Sequence, residues 1–225
     1  MPANFSTLSR PLRWRKFITA MNRQAAPFYF VTAAEYLEGE EMAEVRHEYI
    51  DGRVYAMSGA SDKHNEISFD VASLLKAHLK GGPCKTFLLD VKVEARKNDN
   101  PCFYYPDVFV TCEAEDAQSP LVKRFPTLII EVLSPSTWRV DQGEKLQNYS
   151  QIPSVREIVL IAQDWPEVIV HRRSEDWRPV SFILPEDRFR LESIRLEVSL
   201  AEIYASIPFR ENDSRPWYLQ QNPKA

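Results

Sequence analysis

Leu128-Ile129-Ile130-Glu131-Val132-Leu133-Ser134-Pro135-Ser136-Thr137 sets one acid inside an apolar run. Tyr105-Pro106-Asp107-Val108-Phe109-Val110 sets another at the mouth of a second run. Both runs are short, rich in β-branched and aromatic residues, and bounded by Pro or Ser, so they read as strands. A carboxylate in a run that otherwise reads as buried is unfavourable unless it is paired or metal-bound. After Thr137 the chain can enter a helix carrying Asp141, Lys145 and Tyr149. Their i, i+4, i+8 spacing predicts one shared helical face. Asp107, Glu131 and Lys145 converging on one end of a sheet make a recognisable chemical set. The acids suit a hard cation, and the lysine suits a developing negative charge.

Outward from this core, Thr32-Ala33-Ala34-Glu35-Tyr36-Leu37 predicts a short helix with Thr32 as N-cap and Glu35 closing a capping box. Residues 45–57 alternate about Asp51-Gly52, a hairpin signal. Residues 64–80 predict an amphipathic helix with Ile67, Val71, Leu74, Leu75, His78 and Leu79 on one face, stopped by Gly81-Gly82-Pro83. Residues 86–95 read as one strand. Phe87, Leu89, Val91 and Val93 take one face, and Leu88, Asp90, Lys92 and Glu94 the other. Residues 96–101 read as a polar turn and 113–126 as a polar loop. Beyond the lysine helix, 156–162, 168–173 and 179–184 read as strands, 189–198 alternates weakly, and 200–207 reads as a closing helix. The fold class is therefore α/β or α+β: a mixed sheet flanked by helices, with an N-terminal hairpin and additional C-terminal strands. Residues 1–24, basic and without acids, are expected to be a disordered tail, 25–209 a single domain, and 210–225 a frayed tail.

The 225 residues are 44% apolar and 12% aromatic, enough to build a core. A formal net charge of -4 argues against a protein that coats nucleic acid through many phosphate contacts, though not against a local basic groove. Cys84, Cys102 and Cys112 are odd in number and form no CxxC pair. Neither structural zinc nor a disulfide framework is expected, and the thiols suit a reducing, cytoplasmic setting. No apolar run reaches the length of about 18 residues that a spanning helix needs.

Taken together, His47-Glu48-Tyr49-Ile50-Asp51-Gly52, His64-Asn65, Tyr105-Pro106-Asp107-Val108, the Glu131–Thr137 run, and Asp141 with Lys145 and Tyr149 resemble the Uma-two family of endonucleases. That family has the PD-(D/E)XK restriction-endonuclease-like fold. The resemblance covers residues 32–173 or so. It implies a core of helix, three strands, helix and strand, here 64–80, 86–95, 105–110, 128–133, 141–151 and 156–162. It also implies hydrolysis of phosphodiester bonds in nucleic acid, DNA foremost, with Mg²⁺ or Mn²⁺ held by Asp107, Glu131 and the Val132 carbonyl. The lysine expected two residues after the acid is Leu133 here. Lys145 is the natural substitute, and Lys92, beside Asp90, is the second candidate. Glu48 and Asp90 as further acids, with His64 and Tyr149 as supporting groups, complete the set. Leu133 motivates an alternative: a catalytically inactive nucleic-acid-binding or interaction module of the same fold. A homodimer suits the cutting of two strands. Trp138 and Arg139 are candidate substrate contacts. His47, His78 and His171 form no ligand cluster and read as structural.

Overall fold

The computed structural model describes residues 30–57, 59–134 and 141–209. The chain divides after Met57 into two compact units. In the first, Thr32 caps helix α1 (Ala33–Glu41). The Glu35 N–H donates to the Thr32 hydroxyl, and the Thr32 N–H donates back to the Glu35 carboxylate at 2.9 Å, so the capping box forms as the sequence predicts. Strands β1 (His47–Ile50) and β2 (Arg53–Ala56) make the hairpin around Asp51-Gly52. Both turn residues lie at positive φ, 48° and 81°, the geometry that favours Asp-Gly. The buried carboxylate of Glu40 bonds the His47 ring at 3.0 Å, and Tyr36 stacks on Tyr49.

The second unit runs α2 (Asp62–His78), β3 (Lys85–Leu88), β4 (Lys92–Lys97), β5 (Asn100–Tyr104), β6 (Val108–Thr111), β7 (Val122–Lys123) and β8 (Pro126–Leu133). A π-helical segment (Asp141–Lys145) then leads into α3 (Leu146–Ser150). The order continues β9 (Glu157–Ala162), β10 (Val168–Arg172), β11 (Pro179–Phe182), β12 (Arg188–Leu191), β13 (Leu196–Ser199) and α4 (Leu200–Ile203). Six strands form one mixed sheet in the order β11-β10-β9-β8-β6-β3. Only β8 and β9 are parallel, joined by the crossover through α3; the other neighbours are antiparallel.

Alternation along the strands sorts this sheet into two faces. Val108, Val110, Leu128, Ile130, Val132, Val159, Ile161, Val168 and Val170 bury against Ile67, Val71 and Leu75 of α2 and against Phe189, Leu191 and Val198 of the β12–β13 hairpin. By the same period, Ile129, Glu131 and Leu133 turn to the opposite face. The helix, strand, strand, strand, helix, strand order that the resemblance implies is present, as α2, β3, β6, β8, α3 and β9.

Residues 86–95 are not one strand. The chain turns at Leu89 and Asp90, both at positive φ (49° and 31°), with the Val91 N–H bonded to the Leu89 carbonyl. Two strands result, in different sheets: β3 pairs with β6, while β4 pairs antiparallel with β5 and parallel with β7. Val93 and Ala95 are fully buried after the corner, so the apolar alternation continues through a change of sheet and conceals it. The supposed polar turn and loop also carry structure. Residues 100–104 are β5, and 113–126 wrap a buried Asp116 whose carboxylate accepts from Thr111 Oγ1 and from the Arg124 and Phe125 N–H groups.

Cys84 and Cys112 form a disulfide, which corrects the expectation that no disulfide forms; Cys102 lies outside the bridge and is buried. The β3–β6 register pairs Lys85 with Thr111, so the two cysteines face each other just beyond the ladder. That adjacency depends on strand pairing and is invisible in a count of three. Closing a loop with a sequence separation of 28 restrains the unfolded chain. Replacing both cysteines by serine is expected to lower stability by about 2–4 kcal/mol. Urea unfolding with and without reductant checks this: the wild type should lose that margin on reduction, and the double variant should not respond.

Candidate active site

Asp107 stands one residue before β6, and Val108 pairs with Ile130. Continuing that register sets Asp107 opposite Glu131, with both side chains on the same side of the sheet. The contacts agree: the Asp107 N–H donates to Glu131 Oε2 at 3.4 Å, and the Val132 N–H donates to Asp107 Oδ2 at 2.7 Å. The residues are 8% and 2% exposed. Asp107 Oδ1 lies 2.9 Å from His64 Nε2, within hydrogen-bonding distance.

His64 is placed by its helix. Ser61 caps α2, accepting from the His64 N–H, and its hydroxyl donates to Gln163 Oε1 at 3.2 Å. The Gln163 N–H in turn donates to the Leu133 carbonyl at 3.1 Å. The first turn of α2 is thereby pinned to the end of the β8–β9 pair, over the acids.

The crossover segment reaches Glu131 from the other side. Lys145 Nζ donates to Glu131 Oε1 at 3.4 Å, and the Tyr149 hydroxyl donates to the same oxygen at 2.8 Å. Lys145 and Tyr149 are an i, i+4 pair, and both are buried. The π segment ends on Lys145; the side chain of Asp141 lies outside the described residues, as do Trp138 and Arg139. Asn148 donates to the Tyr104 hydroxyl at 2.6 Å, and the Tyr104 ring lies under Lys145 Nζ, 5.7 Å from the centroid.

The remaining candidates lie as follows. Asp90 sits exposed at the β3–β4 corner, outside both strands. Lys92, 4% exposed, donates to the Tyr105 hydroxyl at 3.1 Å. Glu48 is half-buried in β1, opposite Tyr55, in the first unit. His78 bonds the Ile194 carbonyl and His171 the Trp177 carbonyl, with burial pushing the His171 pKa down. Tyr104, Asn148, Ser61 and Gln163 were not singled out in the sequence. Tyr104 is hidden in the run Phe103-Tyr104-Tyr105, and the others are polar residues of common type.

Among the described residues no group of three or more His, Cys, Asp or Glu side chains is arranged as a metal cage. Mg²⁺ does not require one, because it keeps several waters and takes one or two carboxylates. Asp107 and Glu131 are such a pair: Asp107 Oδ1 and Oδ2 each accept one bond and keep a second lone pair, while Glu131 Oε1 already takes both Lys145 and Tyr149. The donor set therefore fits a hard divalent cation.

A family model named Uma2 and described as "Putative restriction endonuclease" matches residues 33–202. The chain belongs to the Uma2 family. Two Synechocystis proteins, both named as uncharacterized, are similar to this Uma2 chain. Protein slr1290 is 35% identical over 187 residues, which is 82% of this chain and 97% of that protein. Protein sll1609 is 34% identical over 135 residues, 59% of this chain and 75% of that protein. The crystal structure titled as a "putative nuclease belonging to DUF820" from Anabaena variabilis superposes with a TM-score of 0.66 at 20% identity, covering 78% of this chain and 98% of that one. The Uma2 chain thus has the restriction-endonuclease-like α+β fold, a mixed sheet flanked by few helices. No helix among the described residues is long and apolar enough to cross a membrane.

Proposed function

We propose that this Uma2 protein is a divalent-metal-dependent nuclease that hydrolyses phosphodiester bonds, with DNA as substrate. The observation that carries the reading is the pairing of Asp107 and Glu131 across β6 and β8, with Lys145 on Glu131 Oε1. Asp107, Glu131 and the Val132 carbonyl would hold Mg²⁺ or Mn²⁺. A bound cation of this kind lowers the pKa of its water and neutralises charge on the phosphate.

The chain's own groups do the rest. The Val132 N–H and His64 fix the two oxygens of Asp107, and Tyr149 fixes Glu131 Oε1. Lys145 orients the attacking water and stabilises negative charge gathering on the phosphoryl oxygens. Leu133, at the strand position where the family pattern puts its lysine, is apolar and 2% exposed. The helix supplies the cation instead, and the long aliphatic stem of Lys145 lets it reach back to the strand. A two-fold pair of chains, one site per strand, belongs to the same proposal.

The test is cleavage of DNA and of RNA with Mg²⁺ or Mn²⁺, with and without EDTA. Metal-dependent cutting is expected; binding without cutting would leave an inactive module of the same fold. Lys145→Ala should slow single-turnover cleavage at least about tenfold, roughly 1.4 kcal/mol of barrier. Lys92→Ala should cost less, because its ammonium serves Tyr105. Full activity in Lys145→Ala with loss in Lys92→Ala would move the role to the β4 lysine.

A further inference from the structure

We infer that Tyr104 is a positioning residue for Lys145, its ring face serving as the platform that holds the ammonium beside Glu131. This rests on the reading of the Asp107–Glu131 site as a nuclease centre. Tyr104 closes β5 and is fully buried. It touches one stretch of the crossover segment at three residues. Its face meets Lys145 Nζ at 5.7 Å, its hydroxyl accepts from Asn148 Nδ2 at 2.6 Å, and its ring meets Tyr149 edge-on at 5.3 Å. Lys145, Asn148 and Tyr149 are i, i+3 and i+4, so they form one continuous surface on that segment. Asn148 fixes the ring by its hydroxyl, and the fixed ring places the cation.

The two donors on Glu131 Oε1 divide the work. Tyr149, a neutral donor, takes the short bond at 2.8 Å, while the ammonium stands at 3.4 Å. The carboxylate oxygen thus takes both the hydroxyl and the ammonium, and the ring face adds attraction for the cation through its quadrupole. The ammonium is buried beside Glu131. The β5 strand thereby compensates for Leu133. A lysine two residues after Glu131 would be placed by the strand itself, whereas one arriving on a short helix needs a support built from another strand.

A purely structural Tyr104 would fill the same volume, so the test must read the lysine. Tyr104→Leu keeps an apolar side chain and removes the ring. Its single-turnover rate at saturating Mn²⁺ is expected to fall about tenfold, comparable to Lys145→Ala, which corresponds to ~1.4 kcal/mol. Tyr104→Phe, retaining the face and losing only the Asn148 bond, should recover the rate to within about threefold of wild type. The double variant Tyr104→Leu/Lys145→Ala should be no slower than Lys145→Ala alone, since the ring acts only through the lysine. Mn²⁺ affinity by calorimetry should stay at the wild-type value in Tyr104→Leu, because the acids are untouched.

Additive losses in the double variant, or a Tyr104→Leu rate equal to wild type, would overturn the inference while leaving the nuclease reading in place. A wild-type protein that neither binds Mn²⁺ nor cuts nucleic acid would remove that reading and this inference with it. Where Tyr104→Leu fails to fold, phenylalanines of increasing fluorination placed at position 104 keep the ring's shape and weaken its face. A rate falling stepwise with fluorination supports the platform, and a flat series overturns it.

Discussion

Glu131→Gln is expected to abolish cleavage while leaving the fold in place. The single-turnover rate at saturating Mn²⁺ should fall on the order of 10²–10³-fold, the worth of several kcal/mol of charge stabilisation at the phosphate. The substitution keeps the shape and one acceptor oxygen, so the Tyr149 hydroxyl retains its partner. What is lost is the negative charge that pairs with Asp107 in holding a cation. Stability responds through two opposed effects. Removing one of two adjacent carboxylates relieves repulsion, as the like-charged pair in the sequence suggests. The structure adds the counterweight: Lys145, buried, loses the anion it faces at 3.4 Å. The expected net change is small, about 1 kcal/mol, or a shift of about 2–4 °C in melting temperature for a chain of this size. Calorimetry beside the rate measurement separates the outcomes. A fall of more than about 10 °C in melting temperature would assign Glu131 to holding the crossover segment rather than to chemistry.

The core of the fold was readable where local pattern and tertiary role coincide. The β8 run is buried on both faces, so it appears as an unbroken apolar stretch, and its single acid stands out against it. The α2 face and the Asp51-Gly52 turn are likewise written in short-range periodicity and backbone preference. The β3–β4 corner was not readable, because Leu89 and Asp90 carry no Gly or Pro to mark a positive φ, and Val93 and Ala95 keep the strand period going. Cys84–Cys112 and the Tyr104–Lys145 contact fail for another reason. Each joins residues brought together by pairing and packing, and sequence spacing holds no trace of either. The candidate site was thus legible as a list of acids and a lysine, while its support — Tyr104, Asn148, Ser61 and Gln163 — required the structure.

Glu157 is the largest such omission for stability, and Glu157→Ala is expected to destabilise the protein by about 3–5 kcal/mol. The residue opens β9, is 1% exposed, and pairs across the ladder with Arg172 of β10. Its Oε1 accepts from Arg172 Nε at 3.2 Å and from the Glu192 N–H at 3.0 Å, and its Oε2 accepts from the Ser193 N–H at 2.7 Å. One carboxylate therefore ties β9, β10 and the turn between β12 and β13, whose strands cover the sheet's main core. Truncation strands two backbone donors and leaves the Arg172 guanidinium, whose side chain is 10% exposed, with the half-exposed Glu175 as its counter-ion among the described residues. The charge alone is not what matters. Glu157→Gln keeps an acceptor and should lose about 1–2 kcal/mol, the difference between a charged and a neutral hydrogen-bonding group. Urea midpoints at unchanged slope give both numbers. Cleavage per folded molecule should not change, because Glu157 pairs with Leu128 at the end of the β8–β9 ladder away from Glu131, Leu133 and Ala162. A loss under about 1 kcal/mol in Glu157→Ala would mean that water reaches the stranded groups and that the hairpin is held by its apolar contacts alone.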